Sequence, residues 1–214
     1  MLMMQSSNCP PLSRRESRRQ DRRDAILTVA GRSFLENGYA GTPMSAIAAE
    51  LGGSKGTLWS YFPSKEELFA AVVDRETAVF RSRLSAILNP CGDMKATLER
   101  FCRSFLERVT ADDAVALYRL VIGEAGRFPE VGNIFFASGP RQTIALLSAY
   151  LAGAMERGLL QQADPAAAAR SLTSLCMSGS HQQLVMGPLD KATPEMLEAD
   201  IVHAMTVFLR AYAA

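Results

Sequence analysis

Apolar residues recur at helical spacing along most of the chain. Between residues 21 and 37, Ile26, Ala30 and Phe34 fall on one face of a helix. Gly38 follows directly and is typical of a residue that ends a helix in a left-handed conformation. The pattern therefore predicts a first helix over residues 21 to 37.

The next apolar positions predict two short helices in close succession. Thr42 is a suitable N-cap for the second helix, and Pro43 suits its first position, where the missing N–H is not needed. Gly52 and Gly53 end this helix, and the third runs over about residues 55 to 61.

The rest of the chain repeats the helical period. Ser64 and Glu67 form a predicted capping box at the start of a long fourth helix, which ends before Pro90. Further helices are predicted over about 94 to 109 and 113 to 125, and another ends at residue 158. Two more are predicted over 165 to 186 and 194 to 212, with Asp164 and Thr193 as their N-caps and a proline directly after each. No segment shows sustained alternation or a hairpin turn. The expected fold is all-α, with about nine helices.

Composition agrees with a soluble globular protein. Of the 214 residues, 48% are hydrophobic and 21% are charged. No apolar run reaches the roughly 18 residues that a membrane helix needs. The apolar start is too short for a signal peptide, and its arginines come after it rather than before it. We expect a cytoplasmic protein that does not interact with membranes.

Cysteine and histidine usage predicts neither a metal site nor a cofactor. These residues are scattered, and no CxxC pair is present; they are Cys9, Cys91, Cys102, Cys176, His181 and His203. In the cytoplasm such cysteines are typically reduced and buried. A redox switch through Cys102 or Cys176 is the minor alternative.

Charge is unevenly distributed. Residues 1 to 65 contain nine Lys and Arg against five Asp and Glu, a net charge of +4 on a chain of net charge +1. This difference indicates a local anionic partner. Residues 1 to 20 are expected to form a disordered basic tail. The arginine run over residues 14 to 23 fits a solvated helix start and an arm that touches phosphate equally well.

Two short helices joined by a glycine turn are a candidate helix-turn-helix. The small Ala48 lies where the helices would cross, Gly52 tolerates the positive φ of the turn, and Leu58 would anchor the third helix. No P-loop is present, because Lys55 precedes Gly56 instead of following it.

The third helix directs polar and aromatic residues outward. Lys55 and Thr57 lie at the end that enters a major groove, and Trp59 and Tyr61 have an N–H and an O–H for phosphate. The alternative is that the two aromatic residues are core; we expect Phe62 to be core in either case.

Residues 24 to 69 resemble the N-terminal domain of TetR/AcrR-type transcriptional regulators. The matching segments are FLENGY, the threonine at 42, IAAELG and SKGTLWSYFPSKEELF. The resemblance implies a dimeric all-helical repressor that binds double-stranded DNA at a palindromic operator. The DNA contacts carried over are Thr42, Ser45, Ser54, Lys55, Gly56, Thr57, Trp59, Ser60, Tyr61 and Lys65. Pro43, Gly53 and Trp59 depart from the usual threonine, valine and tyrosine.

The remaining sequence resembles the AefR-like subgroup, through IGEAGRFPEVGNIFFASGP, LSAYLAGAMERGLL and DPAAAARSL. The resemblance to TetR/AcrR-type regulators implies a helix-turn-helix domain over 21 to 68 and an effector-binding and dimerisation domain over 69 to 214. A homodimer is expected through the last two helices, where small residues would permit close approach: Ala166 to Ala169, Ser178 and Gly179.

A pocket for a small apolar effector is expected in the larger domain. Its candidate lining residues are Phe101, Phe105, Tyr118, Phe128 and Met177, with His181 as a possible polar group. Ordinary core packing is the alternative for each of them. The chain has no nucleophile elbow, paired carboxylates or nucleotide loop, so we expect no enzyme. A helical protein-binding adaptor without DNA affinity is the alternative function.

Overall fold

Eleven α-helices make up the computed structural model, which describes residues 13–52 and 55–214. Apart from one antiparallel bridge between Leu160 and Ala213, the described residues contain no β-structure. The all-α prediction is confirmed. The helices are α1 (Arg14–Asn37), α2 (Met44–Glu50), α3 (Lys55–Tyr61), α4 (Lys65–Ile87), α5 (Met94–Val109), α6 (Asp112–Glu124), α7 (Pro129–Ser138), α8 (Pro140–Glu156), α9 (Pro165–Met177), α10 (Ser180–Met186) and α11 (Pro194–Tyr212).

The two additional helices arise from breaks near Gly139 and Gly179. Pro140 occupies the first position of α8 and separates it from α7. At the second break α11 approaches so closely that a Cβ on Gly179 would overlap the carboxylate of Asp200. Asp200 Oδ2 accepts a hydrogen bond from the Ser180 N–H at 2.9 Å and so caps α10. The helical period of the apolar residues predicts α7 with α8, and α9 with α10, as single continuous helices. It carries no information about tertiary contacts such as the one between Gly179 and Asp200.

Helix α1 begins seven residues earlier than predicted. The Ser13 Oγ accepts from the Glu16 N–H at 3.3 Å, and Glu16 Oε2 accepts from the Ser13 N–H at 2.8 Å. This reciprocal capping box starts the helix at Arg14. The prediction of disorder is therefore wrong for residues 13 to 20, and residues 1 to 12 lie outside the described residues.

Three predicted helix starts are confirmed, and the predicted N-cap of α2 is wrong. Ser64, Asp164 and Thr193 each accept a hydrogen bond from a backbone N–H in the first turn, at 3.1, 2.9 and 3.3 Å. Thr42 does not cap α2, because Pro43 occupies the N-cap position and makes no side-chain cap.

The buried apolar residues form two clusters. One lies among α5, α8, α9 and α11, and includes Phe101 and Phe208. The other surrounds Phe34, whose ring contacts Phe69 of α4 edge-on, and it also includes Val121 of α6. The core of the first three helices thus continues into α4, α6 and α7, across the expected domain boundary at residue 68.

Helix α4 contacts both α1 and α7. Arg75 donates hydrogen bonds to the Leu27 carbonyl at 3.2 Å and the Thr28 hydroxyl at 3.1 Å, both on α1. Arg81 donates to the Ser138 carbonyl at the end of α7 at 3.1 Å. A displacement of α4 would therefore be transmitted to α1.

Candidate nucleic-acid interface and effector cavity

The helix-turn-helix geometry agrees with the sequence prediction. Gly52 has φ of 62°, the left-handed conformation expected at the turn. Ala48 at the helix crossing and Leu58 on the inner face of α3 are both buried. Phe62 is also buried, as expected. These contacts fix the orientation of α3 and leave its other face to solvent.

Most of the proposed DNA contacts that the structure describes face solvent. Trp59 is 43% exposed, which excludes a purely structural role in the core. The other exposed residues are Ser45, Gly56, Thr57 and Ser60. The Ser60 hydroxyl donates to the Thr57 carbonyl at 2.7 Å. Ser54, Gly53 and the side chain of Lys55 lie outside the described residues.

Tyr61 and Lys65 are half-buried at the edge of this surface. The Tyr61 ring packs against the Phe34 cluster and lies 5.9 Å from the guanidinium carbon of Arg19. Lys65 Nζ lies 4.3 Å from the centroid of the Tyr39 ring. Burial lowers the pKa of Lys65, although nearby carboxylates, of which Glu124 is the most important, oppose this shift.

Thr42 is not available to DNA, so that prediction is wrong. Its side chain is completely buried, and its hydroxyl approaches the carbonyls of Ser33 at 2.9 Å and Gly38 at 2.8 Å. The hydroxyl therefore satisfies backbone carbonyls at the end of α1. Thr42 does not belong to the candidate interface.

A cavity of about 140 Å³ lies between α4 and the helices of the larger domain. The predicted residues Phe105, Tyr118 and Met177 line it. Residues that the sequence did not single out complete the wall: Thr77, Phe80, Arg81, Arg108, Val109, Ala114, Leu117, Phe135, Gly139, Pro140, Thr143, Ile144 and Thr173. His181 also lines the cavity.

The prediction that Phe101 and Phe128 line the cavity is wrong. Phe101 is fully buried behind Phe105, with which it stacks at 5.8 Å between ring centroids. The ring of Phe128 packs edge-on against that of Tyr39, with 5.4 Å between the ring centroids, and belongs to the Phe34 cluster. Helical spacing cannot distinguish a cavity residue from a core residue when the helix is buried on several sides.

The cavity wall is apolar and its charges are paired. Arg81 forms an ion pair with Asp74 at 2.6 Å, and Arg108 with Asp113 at 3.0 Å. His181 is buried, and its ring packs edge-on against that of Tyr118, with 5.2 Å between the ring centroids. Burial lowers the pKa of His181, which favours the neutral imidazole. This environment suits an uncharged apolar molecule.

Two of the cysteines are core residues. Cys102 and Cys176 are buried, and a hydrogen bond with Cys176 together with burial raises the pKa of the Cys102 thiol. A raised pKa disfavours the reactive thiolate. Across the described ranges, no group of three or more His, Cys, Asp or Glu is arranged to hold a metal ion. No helix within these ranges has the length and apolar character needed to cross a bilayer.

The outer face of α11 bears exposed apolar residues. Val202 is 56% and Val207 37% exposed. By contrast, Ala168 and Ala169 of α9 are buried within the chain. The expectation that these two alanines face a second subunit is therefore wrong, because they pack against the protein's own core.

A helix-turn-helix with an exposed second helix defines a class of DNA-binding proteins. Residues 26–72 match the bacterial regulatory proteins of the tetR family, and residues 96–214 match the C-terminal domain of AefR-like transcriptional repressors. The chain belongs to the TetR family, in agreement with the resemblance noted in its sequence.

Solved structures share this fold over nearly the whole chain. A putative TetR-family regulator from Mesorhizobium loti superposes with a TM-score of 0.80 at 26% identity, covering 95% of this chain and 100% of its own. The flavonoid-responsive regulator FrrA gives 0.76 at 33% identity, covering 91% and 98%.

Curated relatives are also transcriptional regulators. YhgD of Bacillus subtilis is 23% identical over 87% of this chain and 97% of its own length. LmrA of the same species and the activator FasR of Mycolicibacterium smegmatis are each 32% identical, over 39% and 48% of this chain. These two matches span only 45% and 46% of the relatives' own lengths.

Proposed function

We propose that this protein is a sequence-specific DNA-binding repressor that a small, uncharged, apolar effector releases from its operator. The main observation is that two helices, α4 and α6, line the apolar cavity and also pack against α1 of the DNA-binding domain. Thr77 and Phe80 of α4 and Tyr118 of α6 line the cavity. Arg75 of α4 donates a hydrogen bond to the Leu27 carbonyl of α1. Glu124 of α6 accepts one from the Ala40 N–H between α1 and α2.

Helix α3 would read the major groove. Its exposed Thr57 and Trp59 would approach base edges, sugars and phosphates, and Lys65 at the start of α4 would contact phosphate. The proposed contacts are Ser45, Ser54, Lys55, Gly56, Thr57, Trp59, Ser60, Tyr61 and Lys65. Thr42 is excluded by its burial.

A homodimer would present two α3 helices to a palindromic operator, with centres about 34–36 Å apart. Its contact would form through the last helices, where Val202 and Val207 of α11 are exposed. A contact lined by the small residues of α9 is not needed for this arrangement. In this function the protein acts in the cytoplasm, without catalysis.

An effector in the cavity would displace α4 and α6 and change the distance between the two α3 helices. Arg75 would transmit the movement of α4 to α1. Effector and DNA then favour different conformations, so each weakens the binding of the other by the same factor. The name of FrrA states a response to flavonoids, which contain aromatic rings, and this supports an aromatic effector for a chain 33% identical to it.

Selection from a pool of random duplexes with the purified protein tests this function. We expect recovery of an inverted repeat with half-site centres about one helical turn apart. The Lys55→Ala, Thr57→Ala double variant should lose preference for that site, whereas Lys95→Ala, an exposed lysine of α5, should retain it. Recovery of no site, with dimerisation retained, would instead support an adaptor.

The cavity is tested with matched small molecules. Toluene should raise the unfolding temperature, because it binds only the folded protein, while benzoate of similar shape should not, because the arginines of the wall are already paired. Equal stabilisation by benzoate would contradict the assignment of an uncharged effector.

A further inference from the structure

The N-terminal half of α1 carries an unusual segregation of charge. It contains six arginines in ten positions, Arg14, Arg15, Arg18, Arg19, Arg22 and Arg23. At about 100° per residue, these side chains fall within an arc of about 180°. The acidic residues Glu16, Asp21 and Asp24 lie on the opposite half of the helix. We call the six arginines the arginine face.

The arginine face adjoins the helix-turn-helix. Arg22 donates a hydrogen bond to the carbonyl of Leu51, at the end of α2, at 3.2 Å. The guanidinium carbon of Arg23 lies 5.3 Å from the centroid of the Phe62 ring, just after α3. Together with the contact of Arg19 on Tyr61, these interactions place the arginine face directly beside α3. It is therefore continuous with the proposed DNA surface.

The outer arginines have no partner in the part of the chain that the structure describes. Arg14, Arg15 and Arg18 are exposed, and within residues 13–52 and 55–214 none forms an ion pair or a side-chain hydrogen bond. Nearby Glu16 is engaged by Ser13 in the capping box. Three guanidinium groups are thus held on a helix with all their donors free for an external anion.

This arrangement is unfavourable for the isolated protein. The arginines form two rows at i, i+4 spacing, and like charges at this spacing repel each other. Arg14 and Arg15 also place positive charge at the positive end of the helix dipole. An anionic partner would relieve both effects. The helical part before Ile26, the first buried residue, is about 18 Å long, which matches roughly five base-pair steps of duplex.

We propose that the arginine face is a second DNA-binding element, which binds the phosphate backbone beside the half-site read by α3. This proposal rests on the DNA-binding function proposed above. It assigns sequence-independent affinity to Arg14, Arg15 and Arg18, and leaves sequence preference to α3.

The test compares three triple variants by fluorescence anisotropy over a range of salt concentrations. One replaces Arg14, Arg15 and Arg18 by alanine, and a second replaces them by lysine. The charge-matched control replaces Arg83, Arg141 and Arg157 by alanine; these residues are exposed and lie on α4, α8 and the end of α8. The probes are the selected inverted repeat and a mixed-sequence duplex of about 40 base pairs, roughly four helical turns.

The alanine variant should bind both probes more weakly by the same factor. The negative slope of log K against log salt should become shallower by about 0.9 for each phosphate that the variant no longer neutralises. The lysine variant should retain most of the affinity, and the control should equal wild type. Circular dichroism checks that α1 remains helical, as alanine favours.

The outcomes separate this proposal from the proposed function. If wild type prefers the selected repeat and the alanine variant keeps both affinity and salt slope, the arginine face does not bind DNA. A weakening confined to the selected repeat would also overturn the proposal, since it would show base readout. If wild type itself prefers no sequence, the function proposed for α3 fails.

Discussion

Glu124, at the end of α6, accepts a hydrogen bond from the backbone N–H of Ala40 at 3.2 Å. The same carboxylate lies beside Gly38, where a Cβ would contact its Oε1 closely, and it attracts the ammonium group of Lys65. Tyr118, nearly two turns earlier on α6, lines the cavity. One helix thus contacts the apolar cavity and the segment that connects α1 to α2.

Replacing Glu124 by alanine should loosen this connection. The free energy of unfolding should fall by about 1 kcal/mol, below the usual range for a hydrogen bond to a charged group, because the site is half-exposed. Hydrogen exchange at the Ala40 amide should accelerate, while exchange near Phe208 in the other core should not. Glu156→Ala, an exposed glutamate of α8, is the control and should change stability by less than about 0.5 kcal/mol. Unchanged protection of Ala40 would contradict this role.

Thr42→Val should reduce stability without acting on DNA directly. The substitution removes a buried hydroxyl that bonds to backbone carbonyls, at a cost of about 1–3 kcal/mol. The unfolding temperature should fall by about 2–4 °C for each kcal/mol. DNA affinity measured well below that temperature should remain at the wild-type value. Thr42→Ser keeps the hydroxyl and should lose less stability. A weaker DNA complex with unchanged stability would instead restore Thr42 to the interface.

Local chemistry is predictable from sequence where it involves neighbours in the chain. The caps at Ser64, Asp164 and Thr193 need only the next three residues. The capping box of Ser13 and Glu16 is equally local, but the polar, arginine-rich sequence around it favours the prediction of a disordered tail. The role of Thr42 is not predictable from the sequence. Its partners, the carbonyls of Ser33 and Gly38, lie within hydrogen-bonding distance only in the folded protein, where α1 ends beside Thr42.

Tertiary contacts also determine which aromatic residues line the cavity. Phe101 and Phe105 have the same helical spacing toward the core, yet only Phe105 reaches the cavity, because Phe101 is covered on all sides. Phe135 lines the cavity although Phe128, two turns before it, does not. The sequence thus predicts the helices and the exposed face of α3, but not the boundary between core and cavity.

His181 should make stability depend on pH in the mildly acidic range. Burial lowers its pKa below 6.5, so below about pH 6.5 the unfolded chain binds more protons than the folded protein. The free energy of unfolding should therefore decrease as pH falls below about 6.5, by at most about 1.4 kcal/mol per pH unit. The lowered pKa values of Glu16, Glu66 and Glu195 act at more acidic pH.

The measurement is denaturant unfolding at several pH values. His181→Gln should flatten the dependence over this range, whatever its effect on absolute stability. Gln182→Ala, which changes an exposed residue of α10 that does not titrate, should keep the wild-type slope. If the His181 variant keeps that slope as well, the imidazole is protonated as easily in the folded protein as in the unfolded chain.

Trp59 provides a direct signal for DNA binding, because it is the only tryptophan and lies on the outer face of α3. Its ring is 43% exposed, and the proposed complex would bury it against sugar and base. Titration with the selected duplex should therefore shift its emission to shorter wavelength or quench it, in step with anisotropy. Toluene in the cavity should leave the emission of the free protein unchanged. Saturation by anisotropy without any change in emission would mean that α3 does not face the DNA.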